Sequence, residues 1–142
     1  MKASKLVVDH DYDFEVLALI SSEKDYKLAW SLNKLLNIHL CKAEDLCLDF
    51  VKDSKMMITN FLFQREYSSL MLLKNKSNEF NNISKPFLLP ELKEYDYIIR
   101  IDGERNFFDV ESIIQKLKSL PSIQYLKRIE IHKLKSKENL IF

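Results

Sequence analysis

Glycine occurs once in the 142 residues, at Gly103. That alone removes whole classes of chemistry. A phosphate-cradling loop, a dinucleotide fingerprint and a nucleophile elbow each need several glycines, because backbone must approach a phosphate or turn sharply. None can be written with this sequence. His39 and His132 fall in expected strands with no nucleophile-and-carboxylate pattern beside them. No catalytic residue is therefore expected, and no cofactor is implied.

The hydrophobic pattern predicts an α+β domain. Phe14–Ile20 is a short apolar run of the kind that forms a buried strand. In 24–36, Leu28, Ala29, Leu32, Leu35 and Leu36 share one face at helical spacing, and Ser22 with Asp25 has capping-box spacing. An extended pattern follows from Ile38, with Leu46, Leu48 and Phe50 alternating. Met56–Gln64 and Tyr67–Lys74 read as a hairpin turning at Arg65-Glu66, and 75–85 reads as a mobile polar loop rich in Asn and Ser. Tyr97–Asp102 is a strand that stops at Gly103. Val110, Ile113, Ile114 and Leu117 form the stripe of a second helix that Asp109 can cap and Pro121 ends. Ile123, Tyr125, Ile129 and Ile131 mark a last strand, with 133–142 as a C-terminal tail. This order is an elaborated ferredoxin-like, split βαβ plan: one mostly antiparallel sheet with two helices on one face. One domain is expected over 1–142.

Charge narrows the partners. The formal net charge is +1, too small for a strong overall pull toward nucleic acid or anionic membrane. The residues from Lys116 to Lys137 are basic, with Lys118, Lys127, Arg128, Lys133 and Lys135 against Glu130. They are read as a solvated face paired with acidic residues near the start. The apolar run at the start ends at Val8, too short for an export signal, and no run reaches the ~20 apolar residues of a membrane helix. The expectation is a cytoplasmic protein. Cys41 and Cys47 are read as reduced, packed thiols, since six residues of straight strand would put them about 20 Å apart.

At 89–97 the chain reads Leu-Pro-Glu-Leu-Lys-Glu-Tyr-Asp-Tyr. This resembles the signature of the IPExxxVDY family of small bacterial proteins. Leu89 stands for the Ile and Tyr95 for the Val, while Pro90, Glu91, Asp96 and Tyr97 match. Asp9–Phe14, Leu28–Asn33 and Lys137–Phe142 also look like that family. The resemblance implies no assigned activity and carries over no catalytic residues. Read physically, Pro90 suits the first position of a short helical turn and Glu91 its positive end. The segment is expected to be a rigid corner feeding the strand near Asp96.

Four features remain. Asp9, His10, Asp11 and Asp13 have metal-ligand chemistry, but the calcium-loop positions that need Gly and Glu hold Phe14 and Ile20. The segment is read as a solvated acidic loop with at most weak metal affinity. His39, Cys41 and Cys47 lack the fourth ligand of a structural zinc site. Tyr26 and Trp30 are i,i+4 neighbours roughly 160° around the first helix from its apolar stripe, and Asn33 continues that back face. Large aromatics outside a core stripe mark interfaces. The ending Leu140-Ile141-Phe142 is too apolar to stand in water, so it docks on the chain itself or in a partner. The function expected is a non-catalytic protein-interaction module, with self-association as one form, through Tyr26, Trp30, Asn33, Leu140, Ile141 and Phe142. The alternatives are an ACT-like small-ligand-binding regulatory domain and a weak nucleic-acid binder using the basic C-terminal strand, with Tyr97 and Tyr125 as its stacking pair.

Overall fold

The computed structural model describes residues 14–49, 55–78, 87–103 and 108–141. β1 (Glu15–Ile20) leads through α1 (Asp25–Leu36) to β2 (Cys41–Lys42), β3 (Leu46–Asp49), β4 (Lys55–Ile58), β5 (Asn60–Gln64) and β6 (Ser68–Lys74). A 3-10 turn at Pro90–Leu92 precedes β7 (Tyr97–Gly103), and α2 (Val110–Lys118) precedes β8 (Tyr125–Ile129). Two more 3-10 turns, Ile131–Lys133 and Lys137–Leu140, follow.

The class is α+β: two helices and a six-stranded sheet in the order β2-β5-β6-β7-β1-β8, every neighbour antiparallel. β1 lies between β7 and β8, the two strands that α2 connects. Nothing in this order conflicts with a split βαβ plan. β3 and β4 pair separately as a two-stranded hairpin.

Side chains alternate across each strand, so each cross-strand row belongs to one face. The row Phe61–Leu72–Ile99–Leu17 faces the helices. It packs with Leu28, Ala29 and Leu32 of α1 and Ile113 and Leu117 of α2, so both helices cover the same face. The next row, Leu73–Ile98–Ala18, faces the other way. There it meets Met56 and Ile58 of β4, Leu88, Leu89 and Tyr95, and Ile131, Leu134 and Leu140 of the C-terminal segment. Covers on both faces explain why Val16, Leu17, Ala18 and Leu19 are all fully buried.

Several expectations are corrected. The single strand expected over Met56–Gln64 is two, β4 and β5, in different sheets with Thr59 between them; the extended pattern after Ile38 likewise splits into β2 and β3. The Ser22–Asp25 capping box does not form: Lys24 is the N-cap, and Ser21 Oγ instead accepts the Glu23 N–H at 3.1 Å. The loop expected to be mobile over 75–85 is fixed at its start, where Asn75 and Ser77 are buried; residues 79–85 lie outside the described residues. Cys41 and Cys47 are free thiols as expected, but exposed rather than packed: Cys41 lies on an edge strand whose two residues are both exposed, and Cys47 in the separate two-stranded hairpin. No helix among the described residues is long and apolar enough to cross a membrane.

Two left-handed residues close elements. Asn37, at φ 55°, ends α1, its N–H returning to the Asn33 carbonyl. Gly103, at φ 109°, ends β7 where that strand runs against the β5–β6 turn. A Cβ there would sit 2.3 Å from the Tyr67 carbonyl oxygen and 2.4 Å from Ser68 Cα. Gly103→Ala is therefore expected to cost about 3 kcal/mol, combining the positive φ with overpacking against backbone. A urea titration reads this directly, and an unchanged midpoint would contradict the clash.

Candidate functional site

The family-like segment 89–97 is built around a residue outside it. Asn75 is fully buried at the end of β6. Its N–H donates to the Asp96 carbonyl at 2.9 Å, and its own carbonyl accepts the Leu88 N–H at 2.6 Å. Its side-chain oxygen accepts the Leu89 N–H at 2.9 Å. Its side-chain nitrogen donates to the carbonyls of Leu92 at 2.9 Å and Tyr95 at 3.0 Å. An asparagine has two amide donors and a carbonyl acceptor, and all are used. The result is the expected corner, with Pro90 at the first position of its 3-10 turn.

The polar groups of the corner turn to the chain itself. The Asp96 carboxylate accepts the Ser21 N–H at 2.9 Å. Tyr97, 4% exposed, donates its hydroxyl to the Glu23 carbonyl at 2.5 Å. Burial, then the charges of Asp25, Asp96 and Glu23, push the Tyr97 phenol up to about 12. Glu91 reaches the tail, accepting the N–H groups of Lys135 and Ser136 and the Ser136 hydroxyl. Partial burial works to raise the Glu91 pKa, but these hydrogen bonds outweigh it and hold the carboxyl below the usual value.

The tail therefore belongs to the fold. Leu134 and Leu140 are buried, Asn139 donates to the Leu88 carbonyl at 2.8 Å, and Arg100 donates to the Leu140 carbonyl. Arg100 also grips Asp102 through two hydrogen bonds and lies 4.0 Å over the Phe14 ring. Burying a leucine contributes roughly 1.5–3 kcal/mol. That settles the docking of Leu140 in favour of the chain's own core and removes it from the partner-contact set. Ile141 is partly buried against the same cluster. Phe142 lies outside the described residues, as do Asp9, His10, Asp11 and Asp13. Among the described residues no three His, Cys, Asp or Glu side chains gather as a metal centre would need.

What faces solvent is α1. Trp30 is 58% exposed and Tyr26 55%. Lys34 Nζ lies 4.0 Å above the Trp30 ring, a cation–π contact. Asn33 is not free for a partner: its side chain accepts the Leu40 N–H at 2.7 Å and fixes the exit from the helix. The basic strand is partly neutralised, since Arg128 bonds Glu15 and Glu111, both at 2.8 Å. Tyr125 is exposed but Tyr97 points inward, so these two tyrosines do not form a surface pair. A cleft of about 520 Å³ lies where β1 ends and α1 begins, with Lys24, Lys74 and Lys93 on its walls beside Glu23, Asp25 and Asp96.

Sequence reasoning missed Asn75 and Arg100. Asn75 sits in a polar stretch that carries no burial signal. Arg100 and Asp102 do have the i,i+2 spacing that puts two strand residues on one face, and that spacing was the available clue. The chain matches no family model, and no curated protein is significantly similar to it.

Two outcomes follow from this geometry. Asn75→Asp replaces two donors with acceptors facing two buried carbonyls, so at neutral pH it should destabilise by more than 3 kcal/mol and by more than Asn75→Ala. Denaturation of the two variants side by side checks the order. The Glu91 clamp should contribute about 1 kcal/mol, modest because the residue is exposed. Its pKa is lowered from 4.5, so the contribution is full above that value and is lost as pH falls through the lower folded pKa. The protection of the Lys135 and Ser136 amides, taken relative to intrinsic exchange at each pH, should fall in acid, and in Glu91→Gln it should already be low at neutral pH.

Proposed function

We propose that this chain is a non-catalytic protein-interaction module whose contact surface is the outer face of α1. One observation carries the reading: Trp30, the only tryptophan of the sequence, stands 58% exposed beside Tyr26 on a helix whose other face is core. An indole in solvent leaves a large apolar area wet, and at an interface centre it is worth several kcal/mol. The same proposal puts the protein in the cytoplasm and in the IPExxxVDY family. The structural work of Pro90, Glu91, Asp96 and Tyr97 supports the motif as a folding signature rather than a reactive centre.

The ACT-like reading draws on the cleft at the start of α1, whose lysines suit a small anionic ligand; its carboxylates oppose that chemistry. The nucleic-acid reading loses support from the ion-paired Arg128 and the buried Tyr97.

Trp30→Ala is the test. A side chain this exposed, with Lys34 over its ring, should leave stability within about 0.5 kcal/mol of wild type when truncated. Self-association or partner capture should weaken. A large loss of stability with unchanged association would end the proposal.

A further inference from the structure

The cleft at the start of α1 is lined by charges of both signs. Glu23 and Asp25 come from the entry to the helix, and Asp96 from the residue before β7. All three bear on one point, the Tyr97 hydroxyl, whose pKa they help to raise. Each spends one oxygen on a main-chain N–H: Glu23 on Lys24, Asp25 on Tyr26 and Asp96 on Ser21. Lys74 ends β6 directly opposite Tyr97, so these two share one face of the sheet. Lys76, bridged to Phe87, and Lys93 of the corner also line the cleft, as does Lys24 between Glu23 and Asp25. Among the described residues, Lys24, Lys74 and Lys93 make no ion pair, and neither do Glu23, Asp25 and Asp96. Opposite charges thus face one space without meeting in it.

We infer that this cleft binds a small zwitterion, its ammonium beside Glu23, Asp25 and Asp96 and its carboxylate on Lys74 and Lys93. The inference goes beyond the α1 contact face and does not depend on it. An anion alone is drawn by the lysines and repelled by the carboxylates, and a cation alone meets the reverse. A ligand carrying both signs gains from both sets, so the lining that opposes a simple anion favours it. A phosphate borne on a divalent cation would also use both sets. No three His, Cys, Asp or Glu side chains among the described residues gather to fix such a cation, whereas an ammonium needs only one hydrogen bond and the field of the neighbouring carboxylates. The volume of about 520 Å³ lies within the roughly 300–1,000 Å³ of small-molecule sites. Phe87, partly buried on the same wall, offers apolar surface to the ligand's stem. A free amino acid and a short peptide share this chemistry.

Titration of the full chain, followed by its backbone amide NMR shifts, tests this with matched probes. L-leucine and glycyl-L-leucine carry both charges, N-acetyl-L-leucine only the carboxylate, and L-leucine methyl ester only the ammonium. At least one of the two zwitterions should shift the amides of 21–25 and 93–97 with a dissociation constant of about 1 mM or less, and the single-charge analogues should bind about tenfold more weakly or worse. Binding of leucine identifies a free amino acid; binding of the dipeptide alone identifies a ligand whose charges stand further apart. Lys74→Gln and Asp25→Asn should each weaken the binding about tenfold or more. Thermal melts confirm that both variants fold, and Lys93→Gln replaces Lys74→Gln if that one does not. Zwitterions that shift neither stretch overturn the inference. So does an acetylated or esterified probe that binds as tightly as leucine, or a zwitterion whose binding neither charge variant weakens. Inorganic phosphate that binds there with Mg²⁺ more tightly than either zwitterion overturns it in favour of a metal-borne phosphate.

Discussion

Asn75 donates to and accepts from five groups of the 88–96 segment, through main chain and side chain alike, with none of its surface exposed. A segment with only one short 3-10 turn must satisfy its remaining buried N–H and C=O groups somehow. Here one side chain substitutes for a ladder. Because Asn75 fixes this segment, Glu91 points at the tail; because Glu91 and Arg100 hold the tail, Leu134 and Leu140 close the second face of the sheet.

That second face is the demanding part of the architecture. A sheet covered by helices on one side can leave the other in water, and its strands then alternate apolar and polar. β1 does not alternate: Val16 and Ala18 are as buried as Leu17 and Leu19. The chain assembles its second cover from a two-stranded hairpin, the family-like corner and the tail, none of which has a core of its own. Such pieces need polar fastening. This accounts for the side chains that looked most like functional candidates being turned inward. Glu91, Asp96, Tyr97 and Asn33 each hold one part of the chain against another.

Elements with strong local patterns were legible in the sequence. The α1 stripe, its exposed Trp30 and Tyr26, the β7 strand ending at Gly103 and the stripe of α2 all follow from periodicity. The break between β4 and β5 was not legible, because Met56 to Phe63 is apolar enough to read as one strand, and only pairing partners show that it serves two sheets. Nor was the path of the tail. Glu91 and Ser136 are 45 residues apart, and no local rule connects them. The candidate face of α1 was legible in its aromatics but not in its limits. Asn33 belongs to it by helical angle, yet its side chain turns aside to bond Leu40.

The inward use of these polar groups bears on α1 itself. Its amino end is pinned three ways: the Tyr97 hydroxyl on the Glu23 carbonyl, Ser21 Oγ on the Glu23 N–H, and Asp96 on the Ser21 N–H. Its carboxyl end is pinned by Asn33 on Leu40 and by the left-handed Asn37. Leu28 and Leu32 hold the middle. Binding loses affinity to whatever must be ordered at the moment of contact, and a preformed surface loses less. Here the backbone is fixed beforehand, and the Trp30 ring already rests under Lys34. The residues that resemble a family signature thus act on the candidate interface at a distance, by holding rigid the helix that carries it.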